Sequence, residues 1–269
     1  MEIHVETPGP DIKAVELLAM ESGLSRGRVK RAMANGAVWL ERGGRVQRLR
    51  RGDRRLAAGD VLHLYFNERI QTMSAPQARL LVDEGDYSLW YKPPGMFSQG
   101  SKWGDHCSLP RQAEIRLARN AFIVHRLDRA ASGLMLVAHG KEAARRLSAL
   151  FRNRQLDKQY RVMVWGEFPG QPQRIEASLD GRPAVSRVQR LAQDPARGWS
   201  LLRVDIETGR KHQIRRHLAG LGYPVVGDRL YGGDEKEDLR LQAVGLAFVC
   251  PLGGQPRDYR LPEELLIHL

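Results

Sequence analysis

The run His125-Arg126-Leu127-Asp128-Arg129-Ala130-Ala131-Ser132-Gly133 places one carboxylate between two guanidinium groups. Flanking cations favour the charged form of an acid, which attacks or accepts a proton rather than donating one. Apolar stretches bracket the run, Phe122-Ile123-Val124 before it and Leu134 to Ala138 after it, with Ser132-Gly133 read as a turn. A lone acid at a strand end, set among arginines, is suited to holding an anionic polynucleotide and attacking it. A structural ion-pair network on a solvated loop would gather the same residues.

Other chemistries find little support. Cys107 and Cys250 are far apart and form no metal-like cluster, so both read as free thiols. His212 and His217 have the wrong spacing for a paired metal site on one helix face. No glycine-rich phosphate loop is present, and no second acid is singled out as a glycosidase would need. The expected site is therefore free of metal and cofactor, built from one carboxylate, one tyrosine and several arginines.

The chain has 269 residues, with 43 Lys and Arg against 31 Asp and Glu and a net charge of +12. That excess argues for a polyanionic partner, nucleic acid before a membrane surface. No apolar run approaches the roughly 20 residues of a spanning helix, and Met1 to Pro10 shows no export signal. A cytoplasmic, monomeric protein is expected.

The cations concentrate near the amino terminus. Arg26, Arg28, Lys30, Arg31, Arg42, Arg45, Arg48, Arg50, Arg51, Arg54 and Arg55 face only Glu41 and Asp53 between residues 23 and 55. Val15, Leu18 and Ala19 recur at helical spacing and predict a helix ending near Gly23. Ser25 is the expected N-cap of a second helix with Val29, Ala32 and Met33 as its apolar stripe. Asn35-Gly36 breaks it, and strands are expected around Val38-Leu40 and over residues 61–65. Residues 67–79 read as a linker, dividing a small domain (1–66) from a larger one (80–269).

In the larger domain, Tyr87 to Tyr91 and Leu134 to Ala138 read as strands, and residues 141–154 as a helix with Ala143, Leu147, Leu150 and Phe151 on one face. Tyr160, Val162 and Val164 alternate, as do Leu202, Val204 and Ile206. Strands and helices without regular alternation predict an α+β fold on a long mixed, largely antiparallel sheet. Thr208-Gly209 is expected to open a helix carrying Ile214, Leu218 and Leu221, with Lys211 and Arg215 sharing a face.

Four segments together resemble the RluA-type pseudouridine synthase family: the Asp128 run, Lys92-Pro93-Pro94-Gly95, Lys158-Gln159-Tyr160, and Thr208-Gly209-Arg210-Lys211-His212-Gln213-Ile214-Arg215 with its continuation through Gly222, Pro224, Gly227-Asp228 and Tyr231-Gly232. Ala131 and Lys211 depart from it, each standing where the family usually has Thr. Residues 11–66 resemble an S4 RNA-binding domain. The resemblance implies isomerisation of uridine to pseudouridine in structured RNA, by cleaving the N1–C1′ bond, turning the uracil and rejoining it through C5. It implies Asp128 as nucleophile or base, Tyr160 against the uracil, Arg215 paired with Asp128, and Arg126 filling the space of the flipped base. Arg210, His212, Leu136 and Ile214 are further candidates around the substrate, and Arg26, Arg28, Lys30 and Arg31 for RNA contact. The appended domain tilts the expected target toward 23S ribosomal RNA. Transfer RNA is the alternative target, and a non-catalytic RNA-binding or ribosome-assembly protein the alternative class.

Overall fold

In the computed structural model, which describes residues 1–232 and 237–269, the amino-terminal helices start and stop where their side chains dictate. Helix α1 (Ala14–Ser22) ends at Gly23, whose left-handed φ of 68° turns the chain. Helix α2 (Arg26–Ala34) begins at Ser25, whose hydroxyl accepts from the Arg28 N–H at 3.4 Å, and gives way at Asn35. Both pack on an antiparallel sheet of β1 (Glu2–Glu6), β2 (Val38–Arg42), β3 (Arg45–Arg48) and β4 (Val61–Tyr65), in the order β1-β4-β2-β3. Val15, Leu18, Val29 and Met33 from the helices meet Leu40, Leu62 and Leu64 from the sheet in one apolar core.

The division of the chain differs from the sequence expectation. One unit comprises Met1–Ala75 and Gln99–Arg116; the other comprises Pro76–Ser98 and Leu117–Leu269. Residues 67–75, expected as linker, contain a short helix α3 (Glu68–Gln71), capped by Asn67. Segment 99–116, expected in the larger domain, carries most of α4 (Leu109–Leu117) and is held in the first unit by polar contacts. Asp105 takes ion pairs from Arg48 at 3.2 Å and Arg50 at 2.6 Å, and the Gln71 amide donates to the Trp103 carbonyl at 2.9 Å. Such long-range partners leave no periodic signal, so composition could not place this segment.

The second unit is built on a ten-stranded sheet, as the α+β expectation requires. It comprises β5 (Arg79–Asp83), β6 (Tyr87–Lys92), β7 (Phe122–Ile123), β8 (Ser132–Ala138), β9 (Asp157–Trp165), β10 (Gln173–Glu176), β11 (Val185–Asp194), β12 (Trp199–Ile206), β13 (Leu241–Val249) and β14 (Pro256–Arg260). The main path runs β10-β11-β12-β9-β13-β8-β6-β5, with β14 on β13 and β7 on β8. Among the described residues only β13 and β8 pair in parallel. Helix α5 (Lys141–Asn153) covers one face, where its Ala143, Leu147 and Leu150 meet Leu89, Leu134, Leu136 and Ala138.

Ser132-Gly133 is not a turn. It opens β8, and Gly133 pairs with Ala243 of β13. Its φ is +118°, and a Cβ there would lie 2.2 Å from the Ala243 carbonyl oxygen. Only glycine admits two backbones at that spacing, so this residue brings the Asp128 segment onto the centre of the sheet.

Candidate active site

Asp128 lies on the loop between β7 and β8, with its side chain 30% exposed. Its neighbours in sequence are not its partners. Arg126 is exposed and makes no hydrogen bond or ion pair among the described residues. Arg129 donates through Nε to the Gly95 carbonyl at 3.0 Å and stacks over Phe97. The expected triplet of a carboxylate held by its flanking arginines is therefore corrected: neither Arg126 nor Arg129 forms an ion pair with Asp128 among the described residues.

The partner of Asp128 is Arg215, 87 positions away, whose Nη1 donates to Oδ2 at 3.0 Å. Arg215 sits on α6 (Gln213–Gly220), with its side chain only 7% exposed. Its other two nitrogens take both oxygens of the fully buried Asp228: Nε to Oδ2 and Nη2 to Oδ1, each at 2.7 Å. One guanidinium thus joins a buried acid to a reachable one, in the planar geometry that an ammonium lacks. Burial alone would lower Arg215, but the carboxylates of Asp228 and Asp128 outweigh it and hold the group above its ordinary value. Burial would raise Asp228; the Arg215 hydrogen bonds and the N–H groups of Leu230 and Tyr231 outweigh this and keep it below the usual carboxylate range.

Tyr160, on β9, is half-buried, and burial, followed by the charge of Asp128, drives its phenol above the ordinary tyrosine value. It remains a neutral ring near the acid. His212 approaches Asp128 at 3.7 Å and bonds the Tyr231 hydroxyl at 3.0 Å. Burial lowers its pKa, against the opposing pull of Asp128.

Other expected residues lie elsewhere. Arg210 turns away, donating to the Pro183 carbonyl at 3.1 Å. Lys211 and Arg215 do not share a helix face, because α6 starts at Gln213, after a left-handed His212. Leu136 is fully buried in the core beneath α5, and Ile214 is buried as well.

Several residues that hold this site carry no chemical signature of their own. The buried Gln213 amide accepts from Thr208 Oγ1 at 2.6 Å and the Arg210 N–H at 3.1 Å, and donates to the Val185 carbonyl at 2.9 Å. It thereby ties the turn before α6 to β11. His125 is half-buried and stacked on Phe151, and its Nε2 accepts from the Leu136 N–H at 2.9 Å. Burial pushes His125 down to about 3, so it stays neutral and able to accept.

Lys92 is fully buried, and its Nζ donates to the carbonyls of Pro93 (3.1 Å), Met96 (3.0 Å) and Arg129 (3.2 Å). Three acceptors match the three N–H bonds of an ammonium. Burial pushes this amine down to about 7, against the opposing charge of Asp128. Lys92→Met takes the donor from the Pro93 and Met96 carbonyls, while the Arg129 carbonyl keeps the Gly95 N–H, and is expected to destabilise the fold by about 1–3 kcal/mol. In the wild type the unfolded chain holds the lysine proton more tightly above pH 7. Stability from this group therefore rises with pH from about 7 toward the ordinary lysine range, and the variant lacks that rise. Urea midpoints from pH 6 to 10 test this; parallel curves for the two proteins would refute it.

With the geometry described, comparison with known proteins adds a family. The RNA pseudouridylate synthase family profile matches residues 86–220, which include Lys92, Asp128, Tyr160 and Arg215. An uncharacterised RNA pseudouridine synthase of Chloroflexus aurantiacus is 38% identical over 55% of this chain, and the chain spans 52% of its length. The dual-specificity RNA pseudouridine synthase RluA of Escherichia coli is 31% identical over 70% of this chain and 94% of its own. The solved structure of human RNA pseudouridylate synthase domain containing 1 has a TM-score of 0.62 at 22% identity, covering 72% of this chain and 86% of that one, which shows a shared fold.

Proposed function

Because the chain belongs to the RNA pseudouridylate synthase family, whose members are isomerases acting on uridine in RNA, we propose that it converts uridine to pseudouridine with Asp128 as nucleophile or base. The observation that carries this reading is the reachable Asp128 carboxylate aimed by a buried arginine that is itself anchored on Asp228. A uridine in a stack cannot meet that acid, so it must be extruded at a cost of a few kcal/mol. Tyr160 offers a neutral ring to the uracil, and the exposed Arg126 is free to fill the vacated space in the RNA. Isomerisation involves no net redox change or hydrolysis. Tritium release from RNA labelled at uridine C5 is the direct test; no release from ribosomal or transfer RNA would refute the reading.

The amino-terminal unit is proposed as the second RNA contact, S4-like, and 23S ribosomal RNA as the target, since an extra anchoring surface suits a large structured RNA. Mapping pseudouridines in cells with and without the gene tests the target. The cations of this unit divide into two groups. Arg42 is bonded to Asp60, Arg48 and Arg50 to Asp105, Arg28 to Glu68 and Arg55 to Asp11. Arg26 reaches Glu16 only at 4.0 Å. Lys30, Arg31, Arg45, Arg51 and Arg54 are exposed and have no side-chain partner among the described residues. These are the cations available to phosphates, so Arg28, expected at the RNA, is less free than Lys30 and Arg31. Replacing Lys30, Arg31, Arg51 and Arg54 by Gln is expected to weaken RNA binding and to flatten the plot of log affinity against log salt by up to about 3. An unchanged slope would place these side chains away from RNA.

A further inference from the structure

Asp128 is aimed from one side by Arg215, but a side chain is only as well placed as its backbone. The two residues flanking Asp128 are both held through main-chain atoms. On the carboxyl side, the Arg129 carbonyl accepts from Lys92 Nζ at 3.2 Å and from the Gly95 N–H at 2.8 Å. On the amino side, a single hydroxyl does the equivalent work. Ser98 Oγ donates to the Leu127 carbonyl at 2.7 Å and accepts from the Leu127 N–H at 3.0 Å.

Both groups of one peptide residue are thus satisfied by one atom, with Ser98 itself buried. A hydroxyl can do this because it is donor and acceptor at once. Leu127 lies outside the regular strands, between β7 and β8, so the sheet ladder does not supply these bonds. Without the hydroxyl, a buried N–H and a buried carbonyl lose their partners one peptide away from the reacting carboxylate, and the turn must shift to find others.

We propose that Ser98 is a positioning residue for the isomerisation: its hydroxyl fixes Leu127 and thereby sets the approach of Asp128 to the target nucleotide. This rests on the reading of Asp128 as the reacting group. It makes no contact with Asp128 or with RNA in the proposal; its effect is transmitted through the Leu127–Asp128 peptide.

The test compares Ser98→Ala and Ser98→Thr in the full-length protein. Misplacement of a reacting group by about 1 Å costs on the order of 10²-fold in rate. Ser98→Ala is therefore expected to lower kcat by about 10–100-fold, with KM and RNA affinity changed less than about threefold. Ser98→Thr, which restores the hydroxyl, is expected to recover most of the rate. A merely structural serine would lower kcat only in step with the folded fraction, which circular dichroism at the assay temperature measures. A crystal structure of Ser98→Ala decides the point without any assay: the turn through Asp128 is expected to move and the 3.0 Å contact with Arg215 to lengthen. Wild-type kcat in Ser98→Ala, or an unmoved Asp128 in its crystal structure, would overturn the proposal. If the wild type itself released no tritium, the activity reading would fall, while the crystal structure would still decide whether Ser98 places Asp128.

Discussion

Asp128→Asn is expected to remove turnover, with a loss on the order of 10⁴-fold, as befits deletion of the reacting group itself. Asparagine keeps the shape of the side chain and can still meet Arg215 through its amide oxygen, but it supplies neither a nucleophile nor a base. The fold should barely notice. Arg215 keeps its two bonds to Asp228, so no buried charge is orphaned. The pair that is lost lies at a partly exposed carboxylate, where such pairs contribute about 0–1 kcal/mol. RNA affinity is expected to stay near wild type, because the exposed cations of the amino-terminal unit are untouched. Tritium release against filter-binding affinity on the same RNA separates the two quantities. Turnover within about tenfold of wild type would remove Asp128 from the chemistry.

The second large effect belongs to Arg215. Its three nitrogens serve two carboxylates at once, and a lysine cannot span both. Arg215→Lys keeps the charge yet is expected to lower turnover on the order of 10²-fold or more, because the Asp128 carboxylate is no longer aimed. Arg210→Lys is the control: Arg210 donates to the Pro183 carbonyl and forms no ion pair with Asp128 among the described residues, so its effect should appear in RNA binding instead. Arg215→Met goes further. It leaves Asp228, which is fully buried, as an uncompensated charge, at an expected cost of about 3–5 kcal/mol. The sign with pH follows from the lowered Asp228 pKa. The stability it contributes is present at neutral pH and is lost as pH falls through the folded-state value, below the ordinary carboxylate range. The gap between wild type and Arg215→Met is therefore widest near neutrality and narrows in acid, where Asp228 takes up a proton. Chemical denaturation at several pH values measures it. A gap that grows on acidification would exclude the buried pair as its source.

Some of this protein was legible in its sequence because the controlling forces act over a few residues. Helix α1 stops at Gly23 and α2 starts at Ser25 for reasons local to those residues. The apolar spacing of α5 and the alternation along β9 and β12 report which face each element buries. The Asp128 run, together with its distant companion through Arg215, marked by resemblance the acid proposed to react and the arginine that pairs with it. The tertiary structure alone decided how that acid is held. Arg129, next to it in the chain, bonds the Gly95 carbonyl, and Arg126 makes no ion pair with it among the described residues, while Asp228, Lys92 and Ser98 supply the support. It also decided which arginines are consumed by acids and which remain open to phosphates, and that residues 99–116 pack with the amino-terminal unit. Periodicity records whether a side chain faces inward, but not which atom it meets there. Hydrogen bonds and ion pairs between segments dozens of residues apart depend on strand order and on close backbone approaches, such as that of Gly133 to Ala243. Those arise only when the whole sheet has formed.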